Sequence, residues 1–329
     1  MKRVLLGLLA AGLAGATSIG AQLPVFSSKV DLVLVDVLVT SRGAPVAGLT
    51  AADFEVRDNR VLQRLDSVTG GVASVAAVTL DLVLVFDASE SMAGANLHLL
   101  IDASRALLDG LRPGDRVALV TFADRTELVH PLSSDLSSLA RSLGSIVPNG
   151  RTSMFDGLYT GLMLRRGSTT RAAVLLFSDG LDNASWLEEP AVRKVARESD
   201  VVVYGVGLDD SVRTQLRDIV DETGGEIIDA DSAKQLKPAF LRLLGQMQAR
   251  YLLAYYPRDV AREGWHTLDV RLVRQKGRDL RARRGYYIPL RAPAGSTRRE
   301  AQPGGIPGTP EPESAYPLWM FPFHRKEPR

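Results

Sequence analysis

Residues 82–92 read Leu-Val-Leu-Val-Phe-Asp87-Ala-Ser89-Glu90-Ser91-Met, an unbroken apolar run that delivers one carboxylate and two hydroxyls together at its end. Such a run, bounded by polar residues, predicts a strand buried on both faces with the polar triplet in the loop after it. Asp-x-Ser-x-Ser offers only hard oxygen donors, a set suited to Mg²⁺, Mn²⁺ or Ca²⁺ rather than to Zn²⁺ or copper. The same residues would equally serve as a helix cap. Ser and Asp both favour helix starts, and 96–111 repeats Leu99, Ala103, Ala106 and Leu107 at helical spacing.

Two later segments bear on that choice. Gly150-Arg-Thr152-Ser-Met-Phe-Asp156-Gly-Leu leads into a further helix, and Val174-Leu-Leu-Phe-Ser-Asp179-Gly-Leu-Asp182-Asn is a second buried strand ending in Ser-Asp-Gly. Together with the first loop they resemble the metal-ion-dependent adhesion site of von Willebrand factor type A domains. There a triplet is completed by a distant Thr and a distant Asp. The resemblance implies a divalent-cation site made of Asp87, Ser89, Ser91, Thr152 and Asp179.

The resemblance extends along the chain as alternating elements. Short apolar strands are expected over 82–86, 116–122, 172–177, 201–206 and 226–229, separated mostly by amphipathic segments such as 135–146 and 212–222. That alternation predicts an α/β fold, a doubly wound, mainly parallel sheet with helices on both faces. A sixth strand over 126–132 follows its predecessor too closely for a crossover helix, so it should be an antiparallel edge. Ligands of such sheets bind beyond the carboxyl ends of the strands where the order reverses. The type A resemblance implies that the strands leading to Asp87 and Asp179 are neighbours there.

On either side lie strand candidates without helices: 30–40, a hairpin from Asp53 through Asp58-Asn59 and 60–68, then 251–257, 266–273 and 280–288. Neither group makes a comfortable core alone, so the flanks are expected to join into one small β-sandwich with the type A domain inserted between them. The organisation read in this way is a signal peptide over 1–21, sandwich strands over 22–78, the type A domain over 79–250, sandwich strands over 251–290 and a disordered Pro/Gly-rich tail over 291–329. This layout resembles the secreted bacterial group of VWFA-related acidobacterial domain proteins. The matching stretches are Val-Asp-Val-Leu-Val-Thr40, Gly43 to Phe54, Tyr251 to Pro257 and Arg284-Gly-Tyr-Tyr. Two departures stand out: Glu90 occupies a position usually small, and Asn59 ends a turn that often carries Gly.

The N-terminus has the basic, apolar and small-residue regions of a secretory signal, which predicts an exported protein, periplasmic or extracellular. No later segment approaches eighteen uninterrupted apolar residues, so no transmembrane span is expected in the mature chain. Cysteine is absent, which excludes disulfides, thiol nucleophiles and zinc thiolate sites. Lys2 and Arg3 account for the formal charge of +2, leaving the mature chain near neutral. Ten basic residues nevertheless fall between Arg271 and Arg299 against Asp279 alone. That stretch reads either as contact with an anionic envelope surface or as arginines alternating on a solvent-facing strand. It lacks interleaved stacking aromatics, and no nucleic-acid partner is expected. The apolar cluster 316–323 is either a docking peptide or a segment that folds back on its own protein.

In the family that the chain resembles, the serines and the Thr bind the ion directly or through water, the aspartates act largely through water, and a partner's Asp or Glu carboxylate fills the open position. The resemblance therefore implies an adhesion or interaction module rather than an enzyme. It also implies possible movement of the last helix, 238–248, which runs directly into the strand at Tyr251. A metal-dependent phosphohydrolase is the competing class, but Ser89 stands where its signature needs a second Asp as general acid. No Gly-x-Ser-x-Gly elbow or P-loop occurs, and four scattered histidines make no triad or zinc cluster.

Overall fold

The structure, a computed structural model, describes residues 32–71, 78–165, 170–230, 232–273 and 277–289. The segments read as signal peptide and tail, and the C-terminal part of the Arg-rich stretch, lie outside the described residues. The first flank contains β1 (Val33–Ser41), β2 (Ala44–Pro45), β3 (Phe54–Asp58), β4 (Val61–Gln63) and β5 (Ser67–Gly70). The middle of the chain runs β6 (Leu80–Asp87), α1 (Ala95–Asp109), β7 (Arg116–Phe122), β8 (Thr126–Ser133), α2 (Leu136–Leu143), α3 (Met154–Met163), β9 (Arg171–Ser178), α4 (Glu189–Glu198), β10 (Val201–Gly207), α5 (Asp210–Thr223), β11 (Ile227–Asp229) and α6 (Leu236–Ala249). The second flank adds β12 (Tyr251–Tyr255), β13 (Gly264–Leu272), β14 (Asp279–Ala282) and β15 (Gly285–Ile288).

The central sheet has the order β11-β10-β9-β6-β7-β8. Every pairing is parallel except β7 with β8, the expected antiparallel edge. Successive residues of β6 serve opposite cores, which is why the run lacks polar alternation. Leu82, Leu84 and Phe86 pack with buried residues of α1, α2 and α6, whereas Val83 and Val85 pack with those of α3, α4 and α5. The close seat of α3 is made by two glycines one turn apart. A Cβ on Gly157 would lie 2.6 Å from the Phe122 ring, and one on Gly161 would lie 2.7 Å from Val85. Helix α4, which packs Val192, Val195 and Ala196 against the sheet, is the crossover that the parallel pairing of β9 with β10 requires.

The flanks do form two antiparallel sheets, β14-β1-β12-β5, with β2 on β1, and β15-β13-β3-β4. Their core is Val35, Val37, Val39, Phe54, Val56, Tyr251, Leu253, Leu268 and Tyr286. Two expected strands are each divided between the sheets. Residues 60–68 become β4 and β5, and 280–288 become β14 and β15, so the chain turns a corner at both edges of the sandwich. At the second corner Arg283 is buried, and its guanidinium bonds Asp200 and the carbonyls of Arg197 and Ser199. The strand breaks where that side chain is drawn into the central domain. Inside the sandwich, Asp58 of β3 accepts hydrogen bonds from the Tyr255 and Tyr286 hydroxyls, at 2.9 and 2.6 Å, and pairs with His266 Nδ1 at 2.8 Å. This buried knot ties together strands of both sheets.

The β3–β4 turn places both Asn59 (φ 46°) and Arg60 (φ 70°) in the left-handed region. Asn59 earns its place through its side chain, which accepts from Thr267 N at 2.9 Å. Arg60 is exposed and gains nothing comparable. Arg60→Gly is expected to raise stability by about 0.5–1 kcal/mol, seen as a higher urea midpoint at unchanged slope.

The sandwich is tied to the central domain by buried charge. Asp36, on the face of β1 away from the sandwich core, accepts Arg250 Nε on one oxygen at 3.0 Å and Arg171 Nε on the other at 2.9 Å. Arg250, alone between α6 and β12, also donates to the Tyr204 hydroxyl and to the carbonyls of Gly224 and Asp36. Of the five described arginines in the stretch read as an envelope contact, four are engaged within the chain. Arg271 pairs with Asp269, Arg281 with Glu226, Arg283 with Asp200 and Arg284 with Asp221. No helix among the described residues is long and apolar enough to cross a membrane.

Candidate metal centre

The strand order reverses between β6 and β9, which are direct parallel neighbours. Asp87 ends the first, and Asp179 follows the second by one residue. The loop after β6 is not spent on capping. Helix α1 takes Gly94 as its N-cap with no side-chain bond, and Ser89 makes no capping bond to the short turn at Glu90–Met92.

Instead the loop side chains face one another. The Ser89 and Ser91 hydroxyl oxygens are 3.0 Å apart, and the Ser91 hydroxyl donates to Asp179 Oδ1 at 2.9 Å. Asp87 lies behind them, accepting from Ser89 N at 2.8 Å on one oxygen and from the Ser178 hydroxyl at 2.6 Å on the other. Ser178 was not among the sequence candidates. Its place directly before Asp179, on the strand paired with β6, was the available signal.

Thr152 enters by a different route. Asn149 N donates to Ala88 O and Glu90 N to Gly150 O, so the loop before α3 is stitched to the loop after β6. The Thr152 amide donates to the Asn183 side chain, and its carbonyl accepts from Asn183 N and Ala184 N. The five candidates thus lie on three loops joined by backbone bonds, and direct side-chain bonds link Asp87, Ser89, Ser91 and Asp179. Asp87, Ser89 and Thr152 are buried, whereas Ser91 is exposed at the mouth. Glu90, the departure from a small residue, points to solvent.

The electrostatics of this cluster ask for a cation. Asp87 is 0% exposed and has no basic partner among the described residues. Burial pushes its carboxyl above the usual carboxylate range; the Ser178 and Ser89 hydrogen bonds oppose that, and the neighbouring negative charge of Asp179 adds to it. Buried carboxylates are normally paired with a base or with a metal. Among the described residues no three His, Cys, Asp or Glu side chains gather to hold a metal, here or elsewhere; this candidate set has two carboxylates and three hydroxyls.

A doubly wound sheet with three loops meeting at its switch point defines the class. Residues 81–241 match the family model of the von Willebrand factor type A domain, and this segment of the chain is such a domain. Among solved structures it is similar to proximal thread matrix protein 1 of the mussel byssus, with a zinc-occupied MIDAS motif, at 21% identity over 56% of this chain and 49% of that one, with a TM-score of 0.49. A von Willebrand factor type A protein of Catenulispora acidiphila is 13% identical over 74% of this chain and 75% of that one, with a TM-score of 0.48. A curated relative, an uncharacterized protein of Borreliella burgdorferi, is 25% identical over 141 residues, 40% of this chain and 41% of its own length.

Proposed function

We propose that this protein is an exported, metal-dependent protein-binding module. Asp87, Ser89, Ser91, Thr152 and Asp179 would hold one divalent cation, Mg²⁺, Mn²⁺ or Ca²⁺, as an oxygen-only donor set suits. An Asp or Glu side chain of a partner protein would complete the coordination. One observation carries the reading: a fully buried carboxylate, Asp87, lies near a second carboxylate, Asp179, with no base beside it among the described residues. The type A family supports it, since these domains commonly serve as metal-dependent interaction modules. Export rests on the basic and apolar N-terminal residues alone.

The cation would supply an electrophilic position, because hydroxyl ligands donate less charge than carboxylates and leave it able to take an anionic oxygen. The residues themselves do the rest. The Ser89 backbone N–H donates to Asp87 and its hydroxyl lies against that of Ser91, so the side chain is placed before any ligand arrives. Exposed Ser91 stands between the buried half of the site and solvent, on the side a partner would approach.

The test is binding to an array of Asp- and Glu-containing peptides beside their Asn and Gln analogues, with Mg²⁺ or with EDTA. Binding confined to the acidic members and abolished by EDTA is the expected result. Binding that survives EDTA, or ignores the amide exchange, would point to a metal-free scaffold.

A further inference from the structure

Two aspartates outside the five-residue set are reciprocally bonded across the loops that carry Thr152 and Asp179. Asp182 lies three residues after Asp179, and its carboxylate accepts from Phe155 N at 2.9 Å, in the first turn of α3. It also accepts from Ser185 N at 3.2 Å and from the Ser185 hydroxyl at 2.5 Å. Asp156 lies four residues after Thr152, and its carboxylate accepts in the opposite direction, from Trp186 N at 2.9 Å and Leu187 N at 3.0 Å. The Asp156 amide closes the exchange by donating to the Ser185 hydroxyl at 3.1 Å.

Rotamer preference or simple capping does not account for this pattern. Helix α3 has Ser153 at its N-cap, a residue well suited to the role, yet Ser153 makes no capping bond and its buried hydroxyl has no partner. The cap comes instead from Asp182, on another loop. Asp156 satisfies two amides of the other segment and Asp182 one, and with the Asp156 amide on the Ser185 hydroxyl four hydrogen bonds cross between them, so neither can shift without breaking several at once. Asp182 is itself held by its amide donating to Gln215 of α5, at 3.0 Å. Between these two clamps runs the Thr152 peptide, bracketed by Asn183 and Ala184.

We propose that Asp182 and Asp156 are positioning residues of the metal centre: they lock the Thr152 loop to the Asp179 loop and so set the distance between a donor that precedes α3 and one that follows β9. The proposal rests on the metal reading above. A carboxylate is needed at each position because it accepts on both oxygens, whereas an amide would present an NH₂ group to a backbone N–H. Both charges also lie at the N-terminal end of α3, where the helix dipole favours them.

The experiment is calorimetric titration of MgCl₂ into the full chain and into Asp182→Asn, Asp156→Asn, the double variant and Ser185→Ala, with the metal-free melting temperature of each measured alongside. Ser185→Ala removes one shared hydroxyl without touching either carboxylate, and serves if an aspartate variant fails to fold. Each aspartate variant is expected to bind Mg²⁺ about 10- to 100-fold more weakly than wild type. The double variant should fall well short of the product of the two effects, because both residues act on the same loop pair. A merely structural pair would lower the metal-free melting temperature while leaving the dissociation constant within about twofold, and that result overturns the proposal. If wild type itself takes up no Mg²⁺ while melting normally, the metal reading falls, and the positioning role with it.

Discussion

Asp87→Ala is expected to abolish the Mg²⁺-induced rise in melting temperature. At a Mg²⁺ concentration one hundred times its dissociation constant, binding stabilises the wild-type fold by about 2.7 kcal/mol. For a domain of this size that corresponds to roughly 5–10 °C. The variant keeps Ser89 and Ser91 but loses the buried negative charge against which the cation is balanced. Asp87→Asn separates charge from shape. It preserves an oxygen for the Ser89 amide or the Ser178 hydroxyl and removes repulsion with Asp179, so its metal-free melting temperature should equal or exceed that of wild type. Thermal unfolding of all three proteins with Mg²⁺ and with EDTA checks both points. Equal Mg²⁺ shifts in wild type and Asp87→Ala would remove Asp87 from the metal.

The second large effect is expected far from that site. Asp36→Ala should cost about 3–5 kcal/mol, because it leaves the buried guanidinium groups of Arg171 and Arg250 without the carboxylate they share. Their side chains are 4% and 1% exposed, so water cannot replace the lost partner. Arg250→Ala alone should be milder than the isolated charge suggests, since Asp36 retains Arg171. The Asp36→Ala/Arg250→Ala double variant should therefore cost less than the two single variants added together. Urea unfolding of the four proteins supplies the cycle. Strict additivity would mean that the two side chains do not act as one unit.

These two sites differ in how far the chain announces them. The apolar runs before Asp87 and after Arg171 marked β6 and β9, because a strand covered on both faces has no polar alternation to confuse it with anything else. The short link from 122 to 126 marked β8 as antiparallel. Of the five candidate ligands, Asp87, Ser89 and Ser91 stood out at the end of such an apolar run, while Thr152 and Asp179 joined them only through the resemblance to the type A metal site. Ser178 and Asp182 were not legible as participants. A Ser within a buried strand reads as a tolerated small residue until the register places it against Asp87, and an Asp in a loop reads as a turn former until it is found accepting from Phe155.

The flanks reverse that balance. Residues 60–68 and 280–288 each read as one strand because local pattern carries no record of which sheet a residue joins. The corner at Arg283 exists only because Asp200 and two carbonyls lie where its guanidinium can reach them. Asp36 alternates with valines as an outward polar residue should, and from pattern alone belongs to solvent.

From the sequence alone came the order of strands and helices and the doubly wound class, since hydrophobic period is a property of neighbours along the chain; the candidate donor set came from the resemblance that its loops carry. Only the tertiary structure decided that the side chains of Ser89, Ser91 and Asp179 meet at 2.9–3.0 Å, that two further aspartates bond across the Thr152 and Asp179 segments, and that Asp36 holds two arginines rather than water. Those are contacts between residues up to 214 positions apart, and only folding brings them within hydrogen-bond reach.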